Sequence, residues 1–222
     1  MIRSSTSAHT LRSGRCDATA TFRVILAWAM LLSLCACATA PPKQPNDACA
    51  IFEDKRAWFK AAKRAASRWD THVPIILAFI KQESSFRAHA KPPRQGSFLW
   101  VFPGSRVSSA YGYSQALDGT WRDYQEATGN SWAERDNFAD AVDFIGWYNA
   151  QSHKRNGIAR DDAYNLYLAY HEGQGGYASG SYRDKRQLQR IARRVATQAD
   201  RYAAQYARCK QELDRPWFKR LF

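Results

Sequence analysis

Apolar residues recur every three or four positions through most of this chain, and this spacing constrains its fold more than any other feature. The period is that of an α-helix, in which such residues form one apolar stripe. It is lost only across 87–113 and 172–182, two loops rich in Gly and Ser. The spacing therefore predicts a mainly α fold. The predicted helices are 52–69, 74–86, 117–127, 137–152, 161–171 and 184–208.

Residues 1–36 are typical of a signal peptide, because a basic leader precedes a short apolar run. That run is too short to span a bilayer comfortably, which takes about 20 apolar residues. The sequence "LCAC" (34–37) resembles a bacterial lipobox, which predicts a lipid on Cys37 and a membrane anchor without a spanning helix. An ordinary cleaved signal and an uncleaved anchor are the alternatives. By resemblance to enterobacterial lipoproteins, Ala38 predicts the outer membrane, with the protein facing the periplasm.

The remaining chain divides by composition into a Pro-rich tether (37–48), a domain (49–210) and a C-terminal tail (211–222). Removal of the signal peptide lowers Lys plus Arg from 33 to 29 and Asp plus Glu from 20 to 19. Such an excess of positive charge suits a polyanionic partner. An exported protein meets anionic glycans and lipid head groups before nucleic acid, so no nucleic-acid partner is predicted.

Two cysteines remain beyond Cys37, and they stand near the two ends of the domain. These are Cys49 and Cys209. Export places them in an oxidising compartment, which favours one disulfide between them over two free thiols.

Glu83 lies on the apolar stripe of its predicted helix, with Ile76, Phe79 and Ile80 at helical spacing before it. Both the loss of water and the negative end of the helix dipole would raise its pKa. A carboxyl protonated near neutral pH is what general acid catalysis requires. Two alternatives remain open: the helix could end before Glu83, or Arg87 could neutralise it.

Motifs for metal or nucleotide chemistry are absent from the sequence. There is no HExxH, CxxC pair, Walker loop or GxSxG elbow. The histidines at 72, 89, 153 and 171 have no metal-ligand spacing. The sequence therefore predicts neither a metal nor a cofactor.

Three stretches carry a family resemblance when they are taken in order. They are "QESSF" (82–86), "SSAYGYSQALDGTW" (108–121) and "LAYHEGQGGY" (168–177). Together they resemble the signatures of the soluble-lytic-transglycosylase (SLT) family, which has a lysozyme-like fold related to goose-type lysozyme. The resemblance implies that 49–210 is a transglycosylase domain.

Four residues take functional places by this resemblance. Glu83 takes that of the catalytic acid and Tyr170 that of the active-site tyrosine. Ser108 and Gln115 take the places of residues that hydrogen-bond the glycan.

The sequence departs from the family pattern at three points. Residues 91–107 form an insertion, and "FLWVF" within it predicts a short strand, a lid, or a β-hairpin within 91–110. Tyr113 and Ser114 replace Leu-Met on a predicted substrate-binding wall. His171 and Glu172 replace Asn-Ala, so Glu172 is expected at the substrate and could add a second carboxylate.

The resemblance implies a peptidoglycan lytic transglycosylase. Glu83 would protonate the oxygen between N-acetylmuramic acid (MurNAc) and N-acetylglucosamine (GlcNAc), then act as base to give a 1,6-anhydromuramyl end. One alternative is a muramidase-type hydrolase, with Glu172, Asp118 or Asp143 as second acid. Another is a non-catalytic peptidoglycan-binding or scaffold lipoprotein.

Overall fold

The periodic stretches form seven α-helices within the described residues, 40–92 and 108–215 of a computed structural model. All of these residues belong to one unit, Thr39–Phe222. The β pairing among them is a single isolated bridge between Tyr111 and Ala116, so the mainly α prediction is confirmed. The helices are α1 (Ala48–Asp54), α2 (Arg56–Trp69), α3 (Val73–Ser84), α4 (Asp118–Thr128), α5 (Phe138–Asn156), α6 (Ala163–Ser179) and α7 (Arg186–Asp214).

Capping residues set several of the helix boundaries. Asp47, Asn137 and Asp162 accept hydrogen bonds from the first free backbone N–H groups of α1, α5 and α6. Left-handed glycines end the helices α4, α5 and α6. They are Gly129, Gly157 and Gly180.

The loop predicted at 172–182 is wrong for residues 172–179, which belong to α6. Gly173 adopts φ 78° and ψ 162°, so the helix kinks there, but helical turns then resume up to Ser179. Glu172 accepts hydrogen bonds from Ser181 and Lys185, which hold the chain after the kink. Glycine content therefore indicated the kink but not the helix that continues beyond it.

Helix α3 forms the centre of the core and is buried on nearly every side. Its buried residues include Val73 and the whole of 75–80, as expected for a helix that is apolar all round. It packs against α5 and α7, while α5 packs against α2. The C-terminal end of this central helix is polar and includes Glu83, and it is the end that reaches the surface.

The turn that lies beside the C-terminal end of α3 depends on Gly112, whose φ is +79°. A Cβ on Gly112 would lie 2.1 Å from the backbone oxygen of Arg135, so only glycine fits. Backbone N–H groups of Gly112 and Tyr113 donate to Ala90 and Arg135, both at 3.0 Å. These bonds hold residues 110–117 beside the end of α3.

The predicted disulfide between Cys49 and Cys209 forms, and it joins α1 to α7 across 160 residues of sequence. The segment before α1 also contacts α7, because Tyr202 donates to the backbone oxygen of Pro45 and Gln205 to that of Asn46. The end of the predicted tether thus packs on the domain. No helix in the described part of the chain is long and apolar enough to cross a membrane.

Several predictions fall outside the described residues. These are the signal peptide, the lipobox with Cys37, most of the insertion and hairpin region (93–107), and residues 216–222 of the tail.

Candidate active site

A cleft of about 380 Å³ opens at the C-terminal end of α3. The turn at 110–117 forms one side, and α5 and α6 form the other. Glu83 contributes the carboxyl at α3, and the aromatic rings of Phe144, Tyr148 and Tyr170 line the opposite side. The cleft therefore combines the carboxyl of Glu83 with an aromatic surface.

Glu83 is the penultimate residue of α3, and its Oε1 accepts a 2.8 Å hydrogen bond from the hydroxyl of Tyr167. Burial among apolar side chains raises the pKa of Glu83 to about 7, and the bond from Tyr167 opposes part of that rise. Glu83 can therefore carry a proton near neutral pH, where an ordinary glutamate is ionised. This is the acid state that the sequence predicted.

The two alternatives for Glu83 do not hold. Helix α3 continues through Glu83 and ends at Ser84, with Ser85 as a left-handed cap. Arg87 directs its Nε to the backbone oxygen of Ser84, 3.0 Å away. Within the described residues Glu83 forms no ion pair with any cation, so its charge is not neutralised.

Tyr170 lines the cleft with Glu83, as predicted, but its hydroxyl donates to the backbone oxygen of Ser114 at 2.6 Å. Burial and the nearby Glu83 hold the pKa of Tyr170 well above its ordinary value, so the phenol stays neutral. Its ring packs edge-on against Phe79 and Tyr148. Tyr170 therefore fixes the aromatic wall and the turn at Ser114.

Sequence reasoning missed Tyr167 as the hydrogen-bond partner of Glu83, because its place on an apolar stripe indicated core packing alone. It contacts Glu83 directly, whereas Tyr170 hydrogen-bonds Ser114. Its spacing was a usable signal, since residues three apart on a helix share a face and Tyr167 precedes Tyr170 by one turn.

Gln115 lies on the cleft, but its amide donates to the backbone oxygens of Ala90 and Gly112 at 3.0 and 2.8 Å. Its backbone is left-handed, with φ 50°, and these two bonds stabilise that conformation. Gln115 thus shapes the rim. Ser108 accepts a bond from the N–H of Ala110 and does not line the cleft.

Tyr113 is a correction to the predicted substrate-binding residues. Its side chain is 1% exposed and packs edge-on against Trp58 and Phe138 in the core. The residue after Gly112 lies on the side of the turn that faces the core, so its large aromatic side chain is buried there. In this structure Tyr113 cannot contact a glycan in the cleft.

Glu172 lines the same cleft, but its carboxylate is fully engaged. Burial alone would raise its pKa, yet hydrogen bonds from Lys185, Ser181 and His171 outweigh burial and lower it. Lys185 Nζ lies 2.7 and 2.9 Å from its two oxygens. Glu172 is therefore an ionised, paired group with little basicity.

The other two candidate acids have structural partners. Asp118 is the first residue of α4, after the N-cap Leu117, and it pairs with Arg135 at 2.8 Å. Asp143 accepts hydrogen bonds from Arg68, Trp69 and Tyr124. Neither aspartate lines the cleft.

Within the described part of the chain, no three His, Cys, Asp or Glu side chains gather as ligands for a metal ion. The arrangement is one carboxyl with a pKa raised to about 7, hydrogen-bonded by the phenol of Tyr167 at the edge of an aromatic cleft. Such a group can donate a proton to a bound ligand and, once ionised, take one back.

Comparison with protein families gives a match to the transglycosylase SLT domain over residues 25–209. A comparison with curated proteins gave no match. The family match confirms the predicted lysozyme-like helical fold, and it supports a lytic transglycosylase type of enzyme that acts on peptidoglycan. The chain belongs to the family of transglycosylase SLT domains.

Proposed function

We propose that this protein cleaves the β-1,4 bond between MurNAc and GlcNAc and leaves a 1,6-anhydromuramyl end. The observation that supports this most is the state of the two carboxyls in the cleft. Glu83 has a pKa near 7 and no ion pair within the described residues, whereas Glu172 is ionised and bound by Lys185. One carboxyl is available for chemistry, and a transglycosylase needs only one.

In the proposed reaction Glu83 donates its proton to the bridging oxygen, and the bond from that oxygen to the muramyl C1 breaks. GlcNAc leaves with the proton on its O4. The 2-acetamido carbonyl oxygen of MurNAc stabilises the cationic C1. The Glu83 carboxylate then removes the proton from the C6 hydroxyl, whose oxygen attacks C1 and closes the anhydro ring. Glu83 ends protonated, and no water is consumed.

Attack by the C6 hydroxyl is favoured because a nucleophile held within the same molecule has a very high effective molarity. The aromatic wall around Tyr170 would exclude water and pack on the sugar face. Tyr167 keeps the Glu83 carboxyl in one orientation for both proton transfers.

A hydrolase remains the second candidate, because Glu172 lines the cleft together with Glu83. A hydrolase would use Glu172 to activate water or to attack C1. The pairing of Glu172 with Lys185 and Ser181 weakens it for both tasks, since its lone pairs are occupied and its pKa is lowered.

We also propose that a lipid on Cys37 anchors the domain to the outer membrane, facing the periplasm. The lipobox-like sequence "LCAC" and the small residue Ala38 motivate this proposal. Metabolic labelling with a palmitate analogue, lost in Cys37→Ala, would test it.

The products of digestion distinguish the two reactions. Purified sacculi digested with the protein are expected to release muropeptides with anhydromuramyl ends, each lighter by one water than the hydrolytic product. Mass spectrometry of the digest before borohydride reduction measures both kinds of end. Reducing muramyl ends as the main product would establish the hydrolase instead.

The pH dependence of turnover tests the Glu83–Tyr167 pair. Activity is expected to fall as the pH rises through about 7, because the free enzyme must enter the cycle protonated. Since the Tyr167 bond lowers the pKa of Glu83, Tyr167→Phe should move this alkaline limb upward, on the order of one pH unit.

Tyr170→Phe is the matched control for this shift. It removes a hydroxyl from the same wall, but that hydroxyl donates to Ser114 and not to Glu83. Its pH limb should stay in place even where its maximal rate falls. An unchanged limb in Tyr167→Phe would contradict the assigned role of Tyr167.

A further inference from the structure

A second cavity, larger than the cleft, lies between the C-terminal half of α3 and the middle of α7. Its volume is about 590 Å³, within the usual range for a ligand site. Four of its lining residues are cationic, and none is acidic. The cations are Lys81, Arg193, Arg194 and Arg201.

These cations are not neutralised by the protein. Arg193, Arg194 and Arg201 are exposed and make no ion pair within the described residues. Lys81 donates to Gln198 Oε1 at 2.7 Å and to Asn46, which are both uncharged. Burial and, to a smaller extent, the charge of Arg201 lower the pKa of Lys81. The positive charges around the cavity therefore repel one another.

The cavity also has a hydrogen-bond donor without an acceptor. Gln198 Nε2 is buried and has no hydrogen-bond partner among the described residues, while its Oε1 accepts from Lys81. An unpaired buried donor destabilises a protein unless something accepts from it. A carboxylate in the cavity would accept from this amide and offset the surrounding positive charge.

The cavity adjoins the catalytic acid. Lys81, Gln82 and Ser85, which line it, lie on the same turn of chain as Glu83. Glu83 itself lines the cleft, so the cavity and the cleft both open at the C-terminal end of α3. A substrate in the cleft therefore has the cavity close by.

We propose that this cavity binds the carboxylates of the peptide stems carried by muramic acid. The inference rests on the proposed action on peptidoglycan. Where MurNAc carries a stem the glycan backbone is uncharged, so the anionic groups of peptidoglycan are those of the stems. Guanidinium groups bind carboxylates in paired, directional hydrogen bonds, and three of the four cations are arginines.

The test is direct binding of a stem peptide. The probe is a free tetrapeptide stem with its carboxylates, titrated by calorimetry into Glu83→Gln protein so that nothing turns over. Removing three charges in Arg193→Gln/Arg194→Gln/Arg201→Gln is expected to weaken binding by about tenfold or more. The same peptide with amidated carboxyls should bind as weakly to the unmodified cavity.

A matched control removes three other exposed arginines of α7 that do not line the cavity. Arg186→Gln/Arg190→Gln/Arg208→Gln lowers the net charge equally and should leave peptide affinity unchanged. Equal loss in both triple variants would overturn the proposal, since only overall charge would then matter. Thermal melting of each variant checks that it is folded.

Turnover separates this inference from the proposed function. With Glu83 intact, the cavity variant should show about a tenfold higher KM than wild type on intact sacculi, and the same KM as wild type on sacculi whose stem carboxyls have been amidated. Equal losses on both substrates would refute stem binding. Failure of the wild-type protein to cleave either substrate would refute the proposed function, while the calorimetric result would still stand by itself.

Membrane phosphate is the competing source of anionic ligands. A flotation assay with vesicles that contain anionic phospholipid measures binding to this alternative ligand. Loss of vesicle binding in the cavity variant, with peptide binding unaffected, would assign the cavity to lipid head groups and overturn the proposal.

Discussion

Glu83→Gln is expected to lower peptidoglycan turnover by about 10³- to 10⁴-fold, the upper range for loss of a general acid, because in the proposed reaction one side chain makes both proton transfers. Glutamine has the same shape and still accepts the hydrogen bond from Tyr167, but it has no acidic proton to donate. Release of soluble muropeptides from purified sacculi measures the loss. Retained turnover would remove Glu83 from the mechanism.

Stability provides the check that this variant is folded, and its sign can be worked out. The pKa of Glu83 is about 7 in the folded state and 4.5 in the reference state, so the folded protein binds more protons between these pH values. Wild-type stability therefore falls as the pH rises through that window. Glutamine does not titrate, so the variant should melt near wild type at pH 4 and above it at pH 8.

Glu172→Gln is the matched control. The substitution removes the same charge from the same cleft, but it acts on a carboxylate that holds Lys185 and Ser181. We expect less than about a tenfold loss of turnover, because the only effect would be weaker attachment of the chain that follows the kink at Gly173. A loss as large as that of Glu83→Gln would favour a two-carboxylate hydrolase.

The environment of Glu83 could be predicted because it follows from local spacing. Residues three, four and seven positions before an acid lie on its side of the helix, so apolar residues there predict a buried carboxyl. The helix ends at Ser84, close to the predicted position. The raised pKa is a consequence of that pattern.

The partners of the site could not be predicted, because they depend on contacts between distant segments. Tyr167 reaches Glu83 across 84 positions of sequence, and a helical stripe cannot tell such a contact from core packing. Gln115 turns its amide toward the backbone because its own backbone is left-handed, which its residue type does not favour. Tyr113 faces inward because Gly112 fits closely against Arg135.

The same distinction explains why Glu172 was left open. Its position beside Tyr170 was evident from the sequence, but its protonation state depends on Lys185, on the far side of the kink at Gly173. A second carboxylate in a cleft supports hydrolysis only when it is free to act. The structure therefore confirms that Glu172 lines the cleft, but shows that its carboxylate is paired with Lys185.

Loss of the disulfide is expected to have the largest effect on stability. Cys49→Ser/Cys209→Ser opens a loop of 160 residues, which in the chain-entropy model lowers the free energy of unfolding by about 5 kcal/mol. Total stabilities of domains are roughly 5–15 kcal/mol, so a fall in Tm of about 10–20 °C is expected. Thermal and urea denaturation, followed by circular dichroism, measure it.

The native arrangement should survive this substitution, because other bonds keep α1 on α7. The N–H of Ala48 donates to Gln205 Oε1 at 2.9 Å, and Gln205 Nε2 donates to Asn46 at 3.1 Å. The loss is therefore expected in the unfolded state, with turnover at 25 °C close to wild type. Reduced wild-type protein should unfold like the variant, and reductant should not affect the variant. A difference below about 1 kcal/mol would show that α1 and α7 are held by packing and not by loop closure.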